Sequence, residues 1–184
     1  MKKSIVKPIS LSLLLGIFMG ACAQNKSQKS DDVSTEKNIT TNPYYSRTAT
    51  NKLSISNAQW KKLLSPELYA VARNADTERA FTGKLWSSET KGTYYCAVCG
   101  NKLFRSDQKF VSSCGWPSFF EQENKSSVVF RDDNSLGMER TEALCGRCDS
   151  HLGHLFDDGP APTGKRYCMN AISLDFEPDS KQKP

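Results

Sequence analysis

The chain has 184 residues, 38% of them hydrophobic and 24% charged, with a formal net charge of +5, seven cysteines and two histidines. Of its 25 Lys/Arg and 20 Asp/Glu, three lysines fall within the first seven residues, and five Lys/Arg with three Asp/Glu fall between there and residue 56, leaving seventeen of each sign in the rest. A nucleic-acid-binding domain keeps its basic excess in the folded part, so this neutral remainder, with no Lys/Arg cluster among aromatics, excludes a nucleic-acid partner.

The first elements are targeting signals. Met1 to Lys7 carry three lysines and no acid, residues 8–19 are mostly apolar, and Gly20-Ala21 stand just ahead of Cys22. This reads as a signal peptide over residues 1–21, its apolar run too short to span a bilayer as a mature helix. The small pair before the cysteine resembles a bacterial lipoprotein signal, which implies cleavage before Cys22, lipid on Cys22, and a membrane-anchored protein facing the periplasm or the cell exterior. The competing reading is an ordinary secretory signal with Cys22 incidental; both make the protein exported. Residues 22–56 are mostly Asn, Ser, Thr, Lys and Asp, with hardly an aromatic and no apolar period, so a flexible tether is expected there.

Residues 57–179 form one domain, with 180–184 as a tail. Ser56-Asn57-Ala58-Gln59 has capping-box spacing, with Trp60, Leu63 and Leu64 at helical intervals behind it. Ser65-Pro66-Glu67 starts a second short helix, serine at the cap and proline in the first turn. After Gly83 the texture becomes short Tyr-, Val- and Phe-rich runs. Strands are predicted over 92–96, 109–112, 127–131, 137–144 and 166–176, with turns at Gly100-Asn101, Asp132-Asp133-Asn134 and Asp157-Asp158-Gly159-Pro160. The sum is a mainly antiparallel β domain with a helical lead-in.

Two Cys-x-x-Cys units punctuate the strands, Cys96-Ala97-Val98-Cys99 and Cys145-Gly146-Arg147-Cys148. Each short loop can present two sulfurs to one ion, and four thiolates close a tetrahedral Zn2+ shell, leaving no open position for catalysis. Such a metal pins two distant hairpins and contributes folding energy. Redox dithiols and disulfides are the alternatives, although neither pair has the strand-to-helix setting of a thioredoxin motif.

With Cys22 and the four knuckle cysteines set aside, Cys114 and Cys168 remain, as either a structural disulfide or a working redox couple. Cys114 lies in a Gly/Ser-flanked loop ending in Trp116-Pro117. On a period-two strand over 166–176, Cys168, Asn170, Ile172, Leu174 and Phe176 share one face, which places an amide beside the thiol; taken by itself, Cys168 reads better as a small buried hydrophobe. The two histidines, His151 and His154, sit three apart just beyond the second knuckle, as a surface turn, metal ligands or functional groups. Trp116 is open to two readings as well, a core side chain or a binding wall.

Glu78 to Trp86, Cys114-Gly115-Trp116-Pro117-Ser118-Phe119, Asp149 to Phe156 and Arg166 to Asn170 together resemble the B-type peptide methionine sulfoxide reductases, in order and at the family's spacings, from about residue 57 to 176. The resemblance implies the family's two-sheet antiparallel β-tent and one structural zinc on Cys96, Cys99, Cys145 and Cys148. It implies a nucleophile at Cys168, a resolving thiol at Cys114, methyl recognition by Trp116, and polar catalysis by His151, His154 and Asn170. Its substrates are oxidised methionine-containing proteins or peptides and its reductant a thioredoxin-like donor. Ser113 and Ala143-Leu144 depart from the family's pattern. In that chemistry Cys168 is expected to work as a thiolate whose pKa is lowered by dipoles or an imidazolium, with one histidine as the acid. The contrasting class is an exported zinc-stabilised β binding module without a reactive thiol.

Overall fold

The computed structural model describes residues 42–180. The signal peptide, Cys22, most of the expected tether and residues 181–184 of the tail lie outside the described residues.

Both expected helices form. In α1 (Asn57–Leu63) the Ser56 side chain accepts from the Gln59 N–H while the Gln59 side chain accepts from the Ser56 N–H, closing the capping box. In α2 (Pro66–Asn74) Ser65 caps the Leu68 N–H, and Ala75 ends the helix in the left-handed region at φ 56°. Helices this short are marginal alone and depend on packing. Here Trp60 is 1% exposed and meets Tyr44 edge to face at 5.5 Å.

Among the described residues nine strands follow: β1 (Gly92–Cys96), β2 (Lys102–Arg105), β3 (Lys109–Phe110), β4 (Ser118–Phe119), β5 (Val128–Asp133), β6 (Arg140–Cys145), β7 (His151–Phe156), β8 (Arg166–Met169) and β9 (Leu174–Pro178). They make two antiparallel sheets, of order β2-β1-β9 and β3-β4-β8-β7-β6-β5. Inward aromatics join the sheets: Phe119 of the larger sheet stacks on Phe104 at 4.2 Å and meets Tyr94 edge-on at 4.9 Å. The mainly β, two-sheet expectation is therefore met.

Four details differ from expectation. The predicted strand over 166–176 breaks at Asn170 into β8 and β9, which belong to different sheets. The cause is Glu78, whose carboxylate accepts the N–H groups of Ala171 at 2.6 Å and Ile172 at 2.9 Å and holds residues 171–173 in a 3₁₀ turn. The predicted 137–144 strand starts late because Ser135–Gly137 form the hairpin turn, with Leu136 and Gly137 at φ 57° and 69°; Asp132 and Asp133, expected in that turn, belong to β5. β2, β4 and β7 were not anticipated, because β4 has two residues and His151–Phe156 does not alternate cleanly between apolar and polar.

The fourth correction concerns the tether. Residues 42–55 are a strap on the domain, held through backbone partners that no side-chain period reveals. Ser46 N–H bonds the Cys99 carbonyl at 3.0 Å, Leu53 N–H the Arg147 carbonyl at 2.8 Å, and the Asn42 amide the Val98 carbonyl at 2.8 Å. Tyr44, Leu53 and Ile55 pack on the core.

Candidate active site

Pairing across the larger sheet sets Ser118, Cys168, His154, Glu142 and Arg131 opposite one another in turn, on β4, β8, β7, β6 and β5. Residues paired in this way share a face, so one transverse row carries a thiol, an imidazole, a carboxylate and a guanidinium. Over its Cys168 and His154 lies a cavity of about 190 Å³ that Thr77, Trp116, Arg140, Gly153, Phe156, Met169 and Asn170 also line.

Cys114 reaches this row from the loop before β4. Gly115 turns that loop at φ 84°, with the Phe81 ring so near that a Cβ there would lie 2.8 Å from it. The Cys114 and Cys168 sulfurs stand 3.6 Å apart as separate thiols. Ser113, beside Cys114, is exposed. Burial, and then Cys114, push the Cys168 thiol up to about 12. Burial also opposes ionisation of Cys114, but hydrogen bonds from Ser112 at 3.1 Å and with Ser118 at 3.5 Å outweigh it and bring Cys114 down to about 7. The surroundings of Cys168 thus oppose the expected lowering of its pKa, whereas those of Cys114 favour its thiolate. Such titrations belong to the pair as a unit.

The remaining residues divide. Trp116 is half-buried, and its Nε1 donates to the Glu78 carbonyl at 3.2 Å while the side chain walls the cavity. Asn170 does not share a strand face with Cys168. It closes the end of β8, and both amide atoms are used on backbone, Oδ1 accepting from Glu78 N–H at 3.0 Å and Nδ2 donating to the Leu152 carbonyl at 3.2 Å. His154 lines the cavity, with Nε2 2.8 Å from Asp133 Oδ2. His151 does not. It is 2% exposed, borders a separate cavity of about 210 Å³, and has Nδ1 2.7 Å from Glu142 Oε1. Burial holds His151 below the usual imidazole range against the pull of Glu142, so it is neutral near pH 7.

Sequence reasoning missed Glu78, Asp133, Glu142 and Arg166. The charges of the second and third alternate in complementary sign, Arg131 and Asp133 against Arg140 and Glu142, which is the pattern of one face of a hairpin. Arg166 precedes Cys168 by two on the same strand face. It pairs with Asp158 at 2.8 Å and lies 4.3 Å over the Phe156 ring, and its charge favours ionisation of Cys168.

The four knuckle cysteines converge, with all their sulfurs within 4.8 Å of one another and separations of 3.8 Å for Cys96 to Cys148 and 3.6 Å for Cys99 to Cys145. A tetrahedral shell with bonds of about 2.3 Å has edges of about 3.8 Å, so these residues fit a bound metal. A disulfide would bring two sulfurs to about 2.05 Å. Asn101 Nδ2 adds a hydrogen bond to Cys145 Sγ at 3.6 Å.

Residues 64–178 match the SelR domain family. The chain is 52% identical over 128 residues to a protein of Methanosarcina barkeri named peptide methionine sulfoxide reductase MsrB, covering 70% of this chain and 90% of the relative. Proteins of the same name from Thiobacillus denitrificans and Acinetobacter baylyi are 56% identical over 123 residues and 49% identical over 130, covering 67% and 71% of this chain and 93% and 94% of theirs.

Proposed function

The chain belongs to the SelR domain family and is a peptide methionine sulfoxide reductase of the MsrB type, and from that premise we propose how its residues divide the reaction. The observation that carries the reading is the 3.6 Å approach of Cys114 to Cys168 at a cavity walled by Trp116 and His154. The methionine (R)-sulfoxide places its S-methyl group against Trp116, an apolar contact worth about 1–3 kcal/mol of discrimination for a group that size. His154 protonates the sulfoxide oxygen, which makes the sulfur electrophilic. Cys168 attacks and gives up its proton to the adjacent Cys114 thiolate. The oxygen ends on Cys168 as a sulfenic acid, and methionine leaves. Cys114 then attacks the Cys168 sulfur, forming the disulfide and expelling the oxygen as water. A thioredoxin-like dithiol reduces that disulfide by exchange. In balance, one sulfoxide and one dithiol yield one thioether, one disulfide and one water. Asn170 serves by holding the Glu78 segment over the cavity, and His151 by packing against His154, their rings 5.4 Å apart.

Zn2+ is the ion best suited to a closed shell of Cys96, Cys99, Cys145 and Cys148, where its part is structural. Gly20-Ala21-Cys22 supports export and a lipid anchor at Cys22, which holds the enzyme at a membrane surface facing the periplasm or cell exterior.

Reduction of a peptide (R)-sulfoxide with dithiothreitol, alongside its (S) isomer, tests the scheme. Wild type is expected to reduce only the (R) form, Cys168→Ser to lose all turnover, and Cys114→Ser to retain turnover with dithiothreitol but lose it with thioredoxin. Full turnover in Cys168→Ser refutes the assignment of the nucleophile.

A further inference from the structure

The hairpin of β5 and β6 sets Asp133 opposite Arg140 and Arg131 opposite Glu142. Each acid has a second partner on β7. Asp133 Oδ2 lies 2.6 Å from Arg140 Nη2 and 2.8 Å from His154 Nε2, while Glu142 lies 2.6 Å from Arg131 Nη2 and 2.7 Å from His151 Nδ1. Each histidine therefore ends an arginine–carboxylate–imidazole chain, but through opposite ring nitrogens. His151 is left with a buried Nε2 that has no protein partner. His154, its Nε2 taken by Asp133, has Nδ1 left for the cavity it lines.

We infer that Asp133, held by Arg140, is a positioning residue for sulfoxide reduction, fixing His154 with Nε2–H on the hairpin carboxylate and Nδ1 toward the substrate. The inference rests on His154 being the acid in the scheme above. The ring nitrogen that carries the resting proton is set by the partner of the other, and a carboxylate also stabilises the imidazolium formed when Nδ1 takes up a proton. In the step itself the Nδ1–H bond breaks, the O–H bond forms on the sulfoxide oxygen, and His154 returns to the neutral Nε2–H form. Hydrogen bonds from Ser135 and then His154 hold Asp133 well below the usual carboxylate range, which keeps it an acceptor. The groups facing this imidazole are Asp133 on β5, Arg140 and Glu142 on β6, His151 on its own strand and Cys168 on β8.

With two histidines in the whole chain, protein labelled with ¹⁵N-histidine gives two imidazole patterns in a long-range ¹H–¹⁵N spectrum, and His151→Asn assigns them. The expected result for reduced wild type, in spectra recorded at alkaline pH, is a His154 tautomer with Nε2 protonated and Nδ1 bare. Asp133→Asn, at wild-type zinc content and melting temperature, is expected to mix the tautomers and to lower kcat with dithiothreitol about tenfold to hundredfold, while KM changes less than about twofold. An Nδ1–H tautomer in wild type overturns the inference before any variant is made. An Asp133→Asn enzyme with unchanged kcat, or one whose loss lies in KM, overturns it as well. The tautomer measurement needs no substrate, so a wild-type protein that fails to reduce sulfoxide removes the functional scheme separately.

Discussion

Cys114 and Cys168 are chemically identical side chains with opposite tasks, and their surroundings separate them. Cys168 sits half-buried on β8; Cys114 sits in a loop whose serine hydroxyls solvate its charge. Reactivity with iodoacetamide is therefore expected to rise with pH through about 7 and to mark Cys114 first. Removing a donor that stabilises a thiolate raises the thiol's pKa, so Ser112→Ala should move that midpoint up by about one to two units, since a hydrogen bond to a charged group contributes about 1.5–3 kcal/mol. Mass-spectrometric rates at each site check this; a midpoint at Cys114 that does not move would remove Ser112 from the account. The two thiols were legible as a pair by subtraction from the cysteine count. Their order of ionisation was not, because it depends on burial and on hydroxyls that spacing alone does not orient.

The element that organises the site is the 3₁₀ turn between β8 and β9, and its cap arrives from Glu78, over ninety residues earlier in the chain. Glu78→Ala leaves two backbone donors without their acceptor, each costing about 1–3 kcal/mol where burial is complete. Urea unfolding should show a loss of about 2–3 kcal/mol, with a larger proportional loss of kcat as Asn170 and Trp116 lose the segment they hold; Glu78→Gln, keeping one acceptor, should fall between. The helices were readable because a serine and a glutamine three residues apart cap their own helix locally. The break at Asn170 was not, because residues 166–176 satisfy period two by themselves and only a distant carboxylate interrupts them. β7 shows the same limit: its two histidines were visible as a pair, but one lines the active-site cavity and the other is buried against a separate one.

At the scale of the molecule, the two knuckles follow strands of different sheets, Cys96 ending β1 and Cys145 ending β6, so a metal held there clamps one sheet to the other. Stripping it with a chelator should lower the melting temperature by at least about 10 °C and broaden the transition; a sharp, unshifted melt in metal-free protein would refute the clamp. Arg147, between two of the ligands, is 5% exposed, and its guanidinium donates to the carbonyls of Tyr44, Ser46, Asn51 and Cys99. Three of those four acceptors belong to the strap, upstream of residues 64–178 that the family shares. The boundary of kinship and the boundary of self-sufficiency therefore fall at different places in this chain. A fragment begun at residue 57, a few residues ahead of the family match, retains every active-site side chain yet strips the Arg147 cation, beside the metal ligands, of three of its four acceptors.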